Sequence, residues 1–146
     1  MKNIIKFPAL IFAVVLLVSS CKKDDNSNSN SSQPAQLSAS VQQGSWKITS
    51  YIDNGVDQTN HYTGYEFQFN SNGTITATKA GTTISGTWSD GMDDSVLKLV
   101  LNFGAATPFL EINDDWHVTQ QSAVMIRLQD VSGGGSGTEY LVFEKI

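Results

Sequence analysis

From Gly44 onward, apolar side chains fall on every second position, and turn-forming residues break the pattern every 8 to 12 residues. That spacing is the mark of short consecutive β-strands. Trp46, Ile48 and Ile52 share one parity, and Tyr65, Phe67 and Phe69 alternate with Glu66, Gln68 and Asn70. Ile84 and Trp88 share a face, and Leu97, Leu99, Leu101 and Phe103 form the longest single-parity stripe. Val124, Ile126 and Leu128 repeat the pattern against Arg127 and Gln129, and Leu141 and Phe143 close it. Each segment wants one wet face and one dry face.

The breaks carry residues suited to tight reversals: Asp53-Asn54-Gly55, Asn70 to Gly73, Ala80-Gly81, Asp90-Gly91, Thr107-Pro108, Asn113 to Asp115 and Gly133 to Gly137. Such residues supply positive φ or a side-chain hydrogen bond to the turn backbone. The pattern predicts strands at 45–52, 62–70, 74–79, 83–89, 95–102, 108–113, 116–129 (one or two) and 139–145. Connections this short leave no room for crossover helices, so neighbours should pair antiparallel in chain order. The expected fold is all-β, a small antiparallel up-and-down barrel of about eight strands, the number at which such a sheet closes and removes its edges. Leu37 and Val41, four apart, predict one helical turn over a barrel end.

The amino-terminal 40 residues follow different rules. Lys2 and Lys6 precede a ten-residue apolar run, Ala9 to Val18, which is the layout of an export signal and too short to span a bilayer. Val18-Ser19-Ser20-Cys21 resembles a bacterial lipobox. The resemblance implies cleavage before Cys21, acylation of its sulfur with palmitate-like chains, and attachment to the outer membrane. Two or three acyl chains at about 0.8 kcal/mol per buried methylene hold a protein stably in lipid. Lys22-Lys23-Asp24-Asp25 is similar to the charged tether of Bacteroidetes surface lipoproteins, which implies exposure at the cell surface. Asn26 to Gln36 is nearly all Asn, Ser and Gln and predicts disorder. The division expected is therefore a signal at 1–20, a lipidated cysteine with a disordered tether at 21–40, and a barrel domain at 41–146. As a coil, the nineteen residues from Lys22 to Ser40 would span roughly 25 Å.

Charge narrows the partners. Lys2 and Lys6 fall ahead of Cys21, so seven of nine basic residues face all fourteen acidic ones in the mature chain, a net charge of −7. With Arg127 the lone arginine, there is no basic stripe to neutralise a phosphate backbone, and no nucleic-acid partner is expected. One cysteine permits neither an internal disulfide nor a thiolate metal cluster.

Gly44-Ser45-Trp46 at the first strand resembles the Gly-x-Trp opening of lipocalins. Tyr65 to Phe69, Asn72-Gly73-Thr74 and Ser85-Gly86-Thr87-Trp88 extend the resemblance over Gly44 to Ile146, toward the short lipocalin-like domains of Bacteroidetes lipoproteins. The resemblance implies Trp46 packed at a closed barrel end beneath a cation. Lys145 stands at the matching place and Arg127 one strand earlier, so either could lie over the ring. It also implies an interior that takes a small hydrophobic ligand. The interior stripe would be Trp46, Phe67, Phe69, Trp88, Leu99, Leu101, Ile126 and Phe143. The same list is what a solid core needs, in which case the barrel would serve protein interaction, with His61, Tyr62 and Tyr65 as a rim cluster.

Enzymatic chemistry lacks its parts. His61 and His117 are the only imidazoles, and no Gly-x-Ser-x-Gly elbow, His-Glu-x-x-His pair or phosphate loop occurs. No catalytic residue, resident metal or cofactor is expected. Asp90, Asp93 and Asp94, and separately Asp114 and Asp115, are turn carboxylates that calcium could use, without EF-hand spacing.

Overall fold

The structure, a computed structural model, describes residues 29–130 and 137–146. The signal segment, Cys21 and most of the glycine run at 133–137 lie outside the described residues. Among the described residues the alternation seen in the sequence resolves into nine strands: β1 (Trp46–Asp53), β2 (Val56–Asp57), β3 (Glu66–Phe69), β4 (Thr74–Lys79), β5 (Thr82–Asp93), β6 (Val96–Asn102), β7 (Asp114–Gln121), β8 (Met125–Asp130) and β9 (Glu139–Lys145). All pair antiparallel, and β1 meets both β3 and β9, so eight strands close into a barrel with β2 as a two-residue flap on β1.

Parity inside the barrel follows the sequence except where the strands bulge. Trp46 and Ile48 point inward, but the register shifts between Ile48 and Ser50, and the inward position passes to Tyr51 instead of Ile52. An extra residue in one strand of a pair does this, because side chains alternate with a period of two. Val124, expected in a stripe with Ile126, sits on the β7–β8 turn and is exposed.

Three further expectations are corrected. The 108–113 segment is a 3-10 turn, Phe109–Ile112, because Phe109 and Ile112, three apart, are both buried, a helical spacing. Of the 62–70 segment only Glu66–Phe69 is strand, and Tyr62 ends a 3-10 turn, Thr59–Tyr62. The Asp90-Gly91 pair does not turn; β5 continues to Asp93, and Asp94 and Ser95 reverse the chain with positive φ. The count of eight barrel strands thus survives through compensation, 108–113 being lost and 116–129 dividing into β7 and β8.

Residues 29–40, where composition predicts coil, belong to a helix, α1 (Ser29–Val41). Leu37 and Val41 supply the reason: both are fully buried against the barrel, and tertiary burial outweighs weak intrinsic propensity. Past Val41 the chain turns through Gly44 at φ +80°, where an added Cβ would stand 2.9 Å from the Lys145 side chain. Gly86 has a packing role: a Cβ there would lie 2.8 Å from the Phe103 ring and 2.5 Å from the Asn102 carbonyl.

The up-and-down order gives the barrel two distinct ends. The α1 end gathers α1, Gly44 and the turns at 70–73, 94–95 and 122–124. The opposite end gathers both 3-10 turns, the 80–81 turn and all four tyrosines, and is called here the tyrosine end.

Candidate functional site

All eight residues predicted to line the interior, Trp46, Phe67, Phe69, Trp88, Leu99, Leu101, Ile126 and Phe143, do face inward, with exposures of 0 to 7%. They touch one another. The Phe67 ring stands edge-on to Phe143 (centroids 5.3 Å), Phe109 (6.1 Å) and Phe103 (6.4 Å), and Phe69 stands edge-on to Trp88 (5.5 Å) and Phe143 (5.7 Å). Edge-to-face rings at these spacings are the preferred geometry of a packed aromatic core.

Both ends are stoppered. At the α1 end, Leu37 and Val41 close over the interior, the Trp46 indole N–H donates to the Val41 carbonyl at 2.8 Å, and Ser38 Oγ donates to Asp90 Oδ2 at 2.7 Å. The choice left open over Trp46 falls to Lys145, whose Nζ lies 5.7 Å from the ring centroid; Arg127 is exposed and points its Nε at Met125 Sδ.

At the tyrosine end the stopper is Phe109, Ile112 and Tyr62, and its fastening is polar. Tyr51 Oη donates to the Glu111 carbonyl at 2.9 Å, with Glu139 Oε2 at 3.2 Å. Tyr62 Oη reaches the Pro108 carbonyl at 3.2 Å and Glu111 Oε2 at 3.4 Å, and His61 Nδ1 lies 2.9 Å from that same carboxylate oxygen. Burial pushes both tyrosine hydroxyls well above the usual phenol range, and the Glu139 and Glu111 charges push the same way. Glu139 is raised by burial and then by the Asp53 charge. The phenols therefore act as permanent donors, not as acids.

Around this stopper lie more carboxylates. Asp114, Asp115 and Asp130 bring one oxygen each within 4.8 Å of the others, joining a buried residue, Asp130, to the Asp114-Asp115 pair singled out in the sequence. Burial raises Asp114, and the Asp130 and Asp115 charges add to it, whereas the Lys98 ammonium, 3.2 Å from Asp115 Oδ2, lowers Asp115. Among the described residues Asp90, Asp93 and Asp94 are not gathered in this way, and Asp90 accepts a hydrogen bond from Ser38. His117 sits mid-strand on β7, opposite Lys98. Tyr65 packs on Phe109 (4.9 Å) beneath Lys79, so His61, Tyr62 and Tyr65 do share one end, with Tyr62 buried and not on the rim surface.

The sequence reading missed Tyr51, Trp116 and Phe109 as interior residues. Trp116 was legible from its alternation with His117 and Val118, and its indole N–H donates to the Ile112 carbonyl at 3.0 Å. Tyr51 was not, because the bulge before it inverts the parity. Among the described residues, a groove of about 390 Å³ lies at the α1 rim between Gln33 and strands β6 and β7, with Leu97 and Val118 of the core in its lining, and another of about 290 Å³ runs along β5, β6 and Asp115.

No family model matches the chain, and no curated protein matches it. Among solved structures it is similar to a DUF4847 family protein from Bacteroides vulgatus, at 18% identity and a TM-score of 0.52, over 75% of this chain and 97% of that one. It is also similar to an uncharacterized protein from Bacteroides eggerthii, at 14% identity and a TM-score of 0.42, over 69% of this chain and 97% of that one. The first likeness establishes a shared barrel fold.

Proposed function

We propose that the chain is a lipid-anchored, non-enzymatic module of the cell envelope, whose barrel is a solid scaffold for protein interaction and not a carrier. The observation that carries this is the Phe67 ring, fully buried at mid-barrel and in edge contact with three other phenylalanines. An apolar ligand admitted there would have to displace rings that already fill one another's contacts, and close-packed interiors resist added volume. The lipocalin resemblance thus supports the barrel shape more than a lipocalin's cargo, because a fold does not fix its use.

With the interior occupied, the working surface is outside. At the tyrosine end Val56, Leu110 and Tyr140 are exposed among the carboxylates of Asp53, Asp57, Glu111 and Glu139. Exposed apolar side chains rimmed by charge suit a protein contact. The His61–Glu111 pair there is about a third exposed, and its carboxylate already serves Tyr62, so it fastens the two 3-10 turns together.

Anchoring is tested by Cys21→Ser followed by membrane fractionation. Release of the chain into the soluble fraction is expected; undiminished membrane retention would contradict acylation at that residue.

A further inference from the structure

The two ends differ in how they meet solvent, and the anchor enters at one of them. Gln33 lines the same groove as Gln120 and Gln121, so α1 brings the incoming chain to the rim beside the β7–β8 turn, Ser122–Val124. On that turn Val124 is 62% exposed, and beside it Ile146 is 63% exposed. The end of β9 is fixed there by backbone bonds, Lys145 N donating to the Val124 carbonyl and Ile146 N to the Ser45 carbonyl, both at 2.9 Å. Gly44, Ser122 and Ala123 at this tip are uncharged, and the charges beside them are Lys145, whose ammonium lies over the Trp46 ring, and Glu144, opposite Met125.

We propose that this Val124–Ile146 tip rests on the bilayer that holds the acyl chains of Cys21, so that the tyrosine end points away from the membrane. The inference rests on acylation of Cys21 and adds an orientation to it. Reach favours it: eight residue steps from Cys21 to Ser29 cover at most about 28 Å. Strands of seven or eight residues, tilted as in small barrels, make a body roughly 20 Å tall, and placing the tyrosine end on the lipid would spend most of that reach on running back along the barrel.

Charge favours it as well. Asp53, Asp57, Glu111 and Glu139 crowd the tyrosine end, where an anionic lipid surface would repel them. The α1 end has its own acids on the β5–β6 turn, Asp93 and Asp94, so the contact is one-sided and made by the β7–β8 edge. Two aliphatic side chains could not recruit a free protein to lipid. On a tethered one, whose effective concentration at the surface is already in the millimolar range, they suffice to select an orientation.

The test uses the full acylated chain, in which the Cys21 sulfur is blocked and a new cysteine takes a polarity-sensitive fluorophore. Val124→Cys and, as the far-end control, Leu110→Cys are reconstituted in phosphatidylcholine vesicles containing a spin-labelled lipid quencher. At position 124 a blue shift and at least about twofold quenching are expected, as for groups lying in the headgroup region, with little of either at position 110. Adding Ile146→Asp should bring the quenching at 124 down to the level at 110, while the chain still sediments with the vesicles and keeps its circular dichroism. Equal quenching at both positions, stronger quenching at 110, or indifference to Ile146→Asp would overturn the orientation while leaving the anchor intact. A mass showing no acyl chain on Cys21 would overturn both.

Discussion

The two ends of this barrel are closed by opposite means. At the α1 end a single helix lays Leu37 and Val41 on the core, fastened by Ser38 to Asp90 and by the Trp46 indole to a helix carbonyl. At the tyrosine end two short 3-10 turns do the same work, and neither could stand alone. They are held by aromatic stacking of Tyr51, Tyr62, Tyr65 and Phe109 and by hydrogen bonds converging on Glu111. A helix satisfies its own backbone and needs only an apolar stripe to dock. A pair of 3-10 turns leaves more backbone groups to satisfy, and buried tyrosines meet that need because each carries a hydroxyl on an apolar body.

The contrast can be broken most forcefully at Phe109. Phe109→Ala removes a ring that touches Tyr62, Tyr65, Phe67 and Phe103, and a cost of about 3–5 kcal/mol is expected by denaturant unfolding. The matching change at the other end, Leu37→Ala, should cost about 2–3 kcal/mol, the low part of the usual range, because a terminal helix can withdraw without unravelling the sheet. Equal losses would mean that α1 and the sheet unfold as one unit.

Next in size is Tyr51→Phe, which keeps the ring but deprives the Glu111 carbonyl of its donor. An expected loss of about 1–3 kcal/mol would place the polar fastening on a par with a buried hydrogen bond elsewhere. A neutral result would mean that stacking alone holds the turns.

The smallest effect has the opposite sign. Burial and the Asp53 charge raise Glu139, so folding favours its protonated form; its contribution to stability is full below the ordinary carboxylate range and is lost as pH rises through the raised value. Glu139→Gln should therefore raise the melting temperature slightly at pH 7, by less than about 1 kcal/mol equivalent given its partial exposure, and the gain should vanish near pH 4. A variant less stable than the parent at pH 7 would show that the Tyr51 hydrogen bond needs the carboxylate.

Alternation alone carried most of the barrel: strand order, antiparallel pairing and the inward placement of the eight expected interior residues followed from parity in the sequence. What it could not carry has a physical cause in each instance. The bulge after Ile48 is invisible in a pattern of residue types, so Tyr51 was hidden behind Ile52. Phe109 and Ile112 are apolar in a strand-length run, and only their three-residue spacing, weighed against the Pro108 beside them, distinguishes a 3-10 turn. Residues 29–40 have the composition of a linker, and their helix is imposed by two buried side chains, Leu37 and Val41. The tyrosine-end network depends on Glu111 and Glu139, 28 positions apart in a sequence with no local signal joining them.

The central claim is that the tube is filled by its own rings, and a titration of the folded chain with a sixteen-carbon fatty acid, followed by calorimetry and by tryptophan fluorescence, tests it most directly. No saturable heat and no change around Trp46, Trp88 or Trp116 are expected. Saturable uptake of one molecule per chain, abolished when Leu101→Trp adds bulk to the interior without unfolding it, would contradict the claim and return the barrel to the carriers.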